Sequence, residues 1–205
     1  MQKLKVLIAC ESSGNTRRAF RALGHDAWSC DLQPADDGSP YHFQRDVRDV
    51  LPYYWDLLIS HPTCTFLCSS GLHWNKRRPE RAALTDDAVL FARMFIDGPE
   101  TAHIAKRVTE NPIGCLSSRV RKPDQIIQPH EFGHDASKAT CLWITGLPLL
   151  IPTCHVPPRL VDGKKRWANQ TDSGQNKLPP SADRWKIRSE TYSGISEAMA
   201  QQWGQ

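Results

Sequence analysis

The most reactive local arrangement in the chain is Ser60-His-Pro-Thr-Cys-Thr-Phe-Leu-Cys-Ser-Ser-Gly71. An apolar run, Trp55-Asp-Leu-Leu-Ile-Ser60, delivers its end into His61 and Pro62 and then into Cys64. Proline fixes φ and gives up an amide hydrogen, so the backbone after it is held rigidly. A cysteine presented there, at the start of a helix if one follows, has its thiolate favoured by the helix dipole and becomes a candidate nucleophile. The second arrangement is Val108-Thr-Glu-Asn-Pro112, where a carboxylate, Glu110, and an amide, Asn111, follow an apolar run. Taken singly, Cys64 reads more readily as a small buried apolar residue beside a turn, as most free cysteines are, and Glu110 as a helix cap or a solvated loop acid. A thiolate and a carboxylate brought to one cleft would suit nucleophilic addition with proton management on the same substrate.

Those residues have to be carried by regular elements, and the pattern supplies them. Lys3–Ala9 is a compact apolar run of the kind found in a buried parallel strand. Glu11-Ser-Ser-Gly-Asn15 is a turn, with Ser12, Ser13 or Asn15 available to cap a helix over Thr16–Leu23 that stops at Gly24. Asp26–Cys30 reads as a second strand ending at Asp31, Phe43–Val50 as a third element and Trp55–Ser60 as a fourth strand. Arg81–Phe95 is a helix with an apolar face of Leu84, Ala88, Leu90, Phe91 and Met94. Thr101–Thr109 ends as a strand running into Glu110, and Ile126–Pro129 and Cys141–Ile144 are short apolar pieces near a sheet edge. The rhythm is that of an α/β protein with a doubly wound, mostly parallel sheet, in which ligands bind beyond the carboxyl ends of the strands. Glu11–Asn15, Asp31, Asp46 and His61–Cys64 all fall there.

The 205 residues read as one domain, 1–205, with a long irregular segment over 148–180 and a C-terminal helix within 188–205, where Ile195, Met199 and Trp203 lie on one face. Forty per cent hydrophobic residues and 7 Trp exclude a disordered chain. No apolar run approaches the roughly 20 residues of a spanning helix, and no secretory signal pattern opens the chain. A cytoplasmic protein is therefore expected. Seven cysteines, an odd number, argue against a disulfide framework. Cys64 and Cys68 stand four apart with no second close pair, and His130 and His134 have no matching triad, so no metal is expected. The net charge of +4 permits an anionic partner without requiring one.

Together the two reactive segments resemble the cytosine-C5 DNA methyltransferases, which carry a Pro-Cys nucleophile after the fourth strand and a Glu-Asn pair after the fifth; here these are Pro62-Thr-Cys64 and Glu110-Asn111. Ile8–Phe20 looks like that family's first motif, Asp31 stands where its second-strand acid holds the cofactor ribose, and Arg45-Asp-Val-Arg-Asp-Val50 is similar to the motif whose Asp contacts adenine. Arg188–Trp203 looks like its last motif, a turn plus helix that packs beside the first. More narrowly, nearly the whole chain is similar to small phage-associated methyltransferase-like proteins that lack a target-recognition domain, through Gln128-Pro-His-Glu-Phe-Gly-His134, Lys138-Ala-Thr-Cys-Leu-Trp143, Ser173-Gly-Gln-Asn-Lys177 and Thr191-Tyr-Ser-Gly-Ile195. In the first loop only Gly14 is kept of three glycines, and the nucleophile motif reads Pro-Thr-Cys where Pro-Pro-Cys is usual.

The resemblance implies a Rossmann-like fold of the S-adenosylmethionine-dependent methyltransferase type. It implies methyl transfer from S-adenosyl-L-methionine to C5 of cytosine in DNA, through a covalent Cys64–C6 intermediate. Cys64, Glu110 and Asn111 would be catalytic, and Glu11, Ser12, Ser13, Gly14, Asp31, Asp46, His61 and Pro62 would hold the cofactor. The family's eighth, arginine-rich motif has no clean match; Arg119, Arg121, Lys122 and Lys138 are the candidates to replace it. A free pyrimidine nucleotide as substrate, or a non-catalytic nucleic-acid-binding role, are the alternatives. Basic clusters at Arg17–Arg21, Lys76–Arg81, Arg119–Lys122, Lys164–Trp167 and Arg184–Arg188, interleaved with Trp74, Trp167 and Trp185, would neutralise phosphates and stack on bases. Lys76–Arg81, just after Cys64, is the foremost phosphate contact on this reading.

Overall fold

A computed structural model describes residues 2–181 and 184–205, with the side chain of Trp185 outside the described set. Strand β1 is Lys5–Ala9, followed by helix α1, Asn15–Ala22, and then β2, Asp26–Asp31, and β3, His42–Gln44. A 3-10 turn at Val47–Asp49 separates β3 from β4, Leu57–Ser60. Helices α2, Ser69–Leu72, and α3, Pro79–Ile96, lead to β5, Lys106–Pro112, then α4, Leu116–Arg119, β6, Gln125–Ile127, and β7, Thr140–Thr145. A hairpin of β8, Arg159–Val161, and β9, Lys164–Arg166, precedes α5, Arg184–Ser189, and α6, Ser193–Trp203.

The seven long-range strands form one sheet in the order β3-β2-β1-β4-β5-β7-β6. The first five are parallel, and β7 runs antiparallel to both β5 and β6. Chain order reverses between β1 and β4, and a crevice opens at such a point beyond the strand ends. The alternating side chains of the strands supply two cores. Val6, Ile8, Leu57 and Ile59 meet Phe20 of α1 and Met199 and Trp203 of α6. Leu7, Ala9 and Leu58 meet Val50, Trp55 and Phe95 on the opposite face. A third cluster, with Leu67, Val89, Ile96, Leu116 and Trp143, lies under the segment after β4.

Several boundaries differ from the expectation, each for a physical reason. The first free amide of α1, that of Asn15, donates to Ser13 Oγ at 3.4 Å, and the next two, those of Thr16 and Arg17, donate to the Glu11 carboxylate at 2.7 and 3.3 Å, so Glu11 shares the capping with Ser13 and neither Ser12 nor Asn15 takes part through its side chain. Gly14 is the N-cap, at φ 71, and a Cβ there would overlap the buried Arg17 guanidinium. Leu84 and Leu90 are exposed on α3, whose buried face is Thr85, Val89, Ala92, Met94, Phe95 and Ile96. Thr85 can be buried because its hydroxyl bonds Phe66 O and Arg81 O, both at 3.1 Å. Strand β5 does not stop before Glu110: it continues to Pro112 because β7 pairs with it there, Glu110 opposite Leu142 and Asn111 opposite Cys141. The stretch 43–50 is two elements, since Asp46 accepts the Arg48 amide and starts a new turn. Within 148–180 the β8–β9 hairpin turns at Asp162 and Gly163, both at positive φ, which an Asp-Gly pair adopts readily.

Among the described residues no helix is long and apolar enough to cross a membrane.

Candidate active site

Three strand ends build the site. In the parallel pairing of β4 with β5, Ser60 lies opposite Thr109, so the next residues on each strand, His61 and Glu110, come side by side. His61 Nδ1 is 2.8 Å from Glu110 Oε2; Glu110 is buried and His61 is largely so, with 11% of its side chain exposed. Thr191, just before α6, donates its hydroxyl to the same oxygen at 2.9 Å. Burial alone would raise the Glu110 pKa, but the hydrogen bond and charge of His61 outweigh it and hold the carboxyl at about 2. For His61 the balance has the same origin: burial favours the neutral ring, and the Glu110 carboxylate more than reverses this and raises the pKa. His61, expected to line the cofactor pocket, is thus turned onto the Glu110 carboxylate.

Asn111 is buried and donates from Nδ2 to Pro62 O at 2.6 Å, tying the end of β5 to the turn after β4. Among the described residues its Oδ1 is buried without a hydrogen-bond partner, and so is His61 Nε2. Unpaired buried polar atoms are costly and rare in folded proteins, and each marks a place where another group belongs.

Cys64 stands half-buried in the turn that follows, its carbonyl accepting the Leu67 and Cys68 amides. The turn is held on both sides. From α3, Arg81 donates to Thr65 O at 3.0 Å and to Asn75, and its guanidinium lies 5.3 Å above the Phe66 ring. From the chain after β5, Ser69 N donates to Ile113 O at 3.0 Å and Cys115 N to Leu67 O at 2.9 Å. Gly114 has to be glycine for this approach, since a Cβ there would overlap the Leu67 carbonyl. The Cys64 and Glu110 segments are therefore stitched together by backbone. The expected helix-dipole activation of the thiol is not present: α2 starts only at Ser69 and is one turn long. Burial, then the neighbouring Cys68, and also Glu110, raise the Cys64 pKa, and Lys138 opposes them.

Lys138 is the one of the four basic candidates whose charge acts on Cys64, His61 and Glu110 together. It is steadied by Glu190 O at 3.2 Å and the Tyr192 ring at 5.9 Å, the two neighbours of Thr191. Arg119 instead pairs with Asp86 and Arg121 with Asp124, each at 2.8 Å, and Lys122 is exposed.

At the other half of the crevice, Asp31 and Asp46 converge on the half-buried Cys10, whose thiol pKa is pushed well up by burial and then by Asp31, Cys30 and Asp46. Asp31 accepts the Gln33 amide at 2.9 Å, and Asp46 is shared with Arg48. Glu11 is committed to α1 through both oxygens, and Ser13 donates to it at 3.5 Å. Ser12 accepts Asp36 N at 2.9 Å through its carbonyl. Arg17, fully buried under Gly14, bonds Ser29 at 2.8 Å and Asp37 at 2.5 Å. Among the described residues no three His, Cys, Asp or Glu side chains are grouped to hold a metal ion.

Thr191 lies in a stretch that carries the resemblance but has no role assigned from sequence, and Lys138 is one of four basic candidates with nothing in the sequence to separate them. The His61–Glu110 pair was recoverable in principle, because a parallel register that aligns the two apolar runs puts these residues next to each other.

No protein-family model and no curated protein sequence matches the chain. Its architecture does match solved structures. A protein described as a DNA modification methyltransferase encoded within an E. coli prophage superposes with a TM-score of 0.51 at 16% identity, over 78% of this chain and 54% of the other. The Entamoeba histolytica methyltransferase EhMeth superposes with a TM-score of 0.51 at 13% identity, over 77% of this chain and 59% of the other. The chain thus spans a little over half the length of each. What these likenesses establish is the fold: a mostly parallel, seven-stranded Rossmann-like sheet flanked by helices, as in those two methyltransferase structures.

Proposed function

We propose that residues 1–205 form a single catalytic domain that transfers a methyl group from S-adenosyl-L-methionine to C5 of cytosine in DNA. The observation that carries this is the placing of Glu110 and Asn111 at the carboxyl edge of the sheet, with Asn111 bonded to Pro62 two residues before Cys64, Glu110 near enough for its charge to act on the Cys64 thiol, and Asn111 Oδ1 and His61 Nε2 buried without a partner among the described residues.

Cytosine C5 is a poor nucleophile until C6 is attacked. The Cys64 thiolate adds to C6, forming the S–C6 bond as the C5=C6 pair shifts toward C5. Because the resting thiol is held protonated by burial, it must lose its proton to solvent first. Lys138 stands where it favours that thiolate and takes the place of the arginine-rich motif. Glu110 holds the proton at N3 as charge builds on the ring, and Asn111 and Pro62 shape the floor. After methylation, loss of the C5 proton to a base lets the S–C6 bond break and frees Cys64.

The other half of the crevice fits the cofactor. Asp31 and Asp46 offer carboxylates for ribose hydroxyls and a cationic ligand, and Gly14, whose missing side chain makes room for the Arg17 guanidinium, shapes the first loop beside them. S-adenosylmethionine, when bound, supplies the methyl group as an electrophilic sulfonium substituent. Ser12, Ser13, Gly14, Asp31 and Asp46 would hold it. Glu11 shapes the loop by capping α1, and Pro62 fixes the turn between the two half-sites.

A second reading, the same chemistry on a free pyrimidine nucleotide, is favoured by the small size of the β8–β9 hairpin, the only regular element between β7 and α5 among the described residues. Incubation with S-adenosylmethionine and an oligonucleotide containing 5-fluorocytosine tests the chemistry. A covalent protein–DNA adduct is expected by mass spectrometry and should vanish in Cys64→Ser. An adduct that persists in that variant removes Cys64 from the mechanism. Labelling of the nucleotide in preference to the oligonucleotide selects the second reading.

A further inference from the structure

A carboxylate cannot place a proton on N3, and Glu110 rests as a carboxylate. Resting on the cytosine reading above, we infer that His61 and Glu110 work as a one-proton switch: an ion pair while the cleft is open, and a neutral imidazole beside a neutral carboxylic acid once a pyrimidine seats against them. Glu110 then meets the ring as a hydrogen-bond donor.

The geometry supports each half of the switch. His61 Nδ1 and Glu110 Oε2 are 2.8 Å apart, within the range of a direct proton transfer. Thr191 donates to that same oxygen, and Oε1 carries no hydrogen bond among the described residues, so a half-turn of the protonated carboxyl about its Cγ–Cδ bond brings the Oε2 proton to the ring and Oε1 to His61. Seating a base would strip the remaining water from the pair. Removing water disfavours two charges far more than two neutral groups, so the proton should pass from imidazolium to carboxylate at that moment. A buried ion pair is also weak as a stabilising device, and an imidazole kept with Nε2 buried and unpartnered is better explained by chemistry than by packing.

The charged groups that face His61 are Glu110 from β5, Glu11 from the end of β1 and Lys138 from just before β7; Thr191, before α6, is uncharged. Glu11 and Glu110 favour the imidazolium and Lys138 opposes it, so the pair sits between opposing fields rather than locked by one. The steps balance. As the S–C6 bond forms, the Glu110 O–H bond breaks and N3–H forms, leaving the ring neutral and the negative charge on Glu110. When the S–C6 bond later breaks, N3 returns its proton to Glu110. His61 touches the ring only through Glu110 and is a positioning residue.

The test uses the full chain with 15N-labelled histidine and a cytosine-containing single-stranded oligonucleotide. His61 should show imidazolium nitrogen shifts at pH 7 when free and neutral-ring shifts when the oligonucleotide and S-adenosylhomocysteine are bound. His61→Asn keeps a donor toward Oε2 but holds no acidic proton. It should bind the oligonucleotide within about threefold of wild type and methylate it at least about 100-fold more slowly, the usual scale for a lost acid–base group. A neutral His61 in the free protein at pH 7, or wild-type turnover by His61→Asn, overturns the switch and leaves the methyltransferase reading standing. Wild-type protein that forms neither product nor fluorocytosine adduct overturns both.

Discussion

Glu110 and His61 are each tuned by the other, and the signs of the two shifts define a pH window. The folded carboxyl lies at about 2 against an ordinary value of 4.5, so its contribution to stability is present above 4.5 and is lost as pH falls toward 2. The folded imidazole lies above its ordinary 6.5, so its contribution is complete below 6.5 and is lost as pH rises through the raised value. The pair therefore stabilises the fold most between pH 4.5 and 6.5. Removing one partner strands a buried group, which costs about 3–5 kcal/mol. A double-mutant cycle of His61→Phe and Glu110→Leu, read by denaturant unfolding, should show favourable coupling in that window that shrinks on the alkaline side. Coupling that stays level up to alkaline pH would mean His61 is not charged in the folded protein. The residues that the proposed chemistry uses, Cys64, Glu110 and Asn111, stand out in sequence by residue type and by their place after apolar runs. The protonation states do not, because they depend on burial and on partners 49 and 81 positions away.

At the scale of elements, the site is a product of two loops that brace each other. Arg81 and Thr85 of α3 grip the backbone from Thr65 to Phe66, and the Ile113–Cys115 stretch pairs with Leu67–Ser69. Gly114→Ala tests that bracing. The added methyl group meets backbone, which cannot swing aside, so the two loops must part. A destabilisation of about 1–3 kcal/mol is expected, as for other overpacked sites. Adduct formation through Cys64 should fall by a larger factor than cofactor affinity, because Asp31 ends β2 and Asp46 starts the turn after β3, away from both braced loops. Equal losses in both would show that the crevice behaves as one unit. Of these elements, β1, α1, β2 and α6 are read from sequence to within a few residues, because each carries an uninterrupted apolar pattern and a clear stop. The face of α3 is misread because its leucines are not on the side that meets the sheet, and only the neighbouring loop decides which side that is.

Across the whole molecule, the 156–177 segment is docked rather than loose. Trp167 stacks on His130 with ring centroids 4.1 Å apart, and Asn169 bonds Ser137 through both its Oδ1 and its Nδ2. This holds the β8–β9 hairpin, with exposed Lys164 and Lys165, on the same body as Lys138. On the other side of the Cys64 turn, Arg77 and Arg78 flank Trp74, which is also exposed. If both patches meet phosphates, DNA affinity should fall linearly in log–log plots against salt, and Lys164→Glu with Lys165→Glu should flatten the slope by about 2 on duplex DNA. A slope unchanged by the double substitution would place the hairpin off the DNA. Trp167, expected among the base-stacking residues, spends its face on His130.

The amino-acid sequence on its own determined the fold class, the order of the first strands and the reactive residue types, because apolar periodicity and proline or glycine stops are local properties of the chain. Only the tertiary structure decided how those residues are used. It extended β5 past Glu110 through pairing with β7, turned His61 onto Glu110, gave Glu11 to α1 and set Lys138 against Cys64. The reason is that register, burial and charge depend on segments far apart in the chain, and such contacts acquire their energy only once the sheet has brought them together.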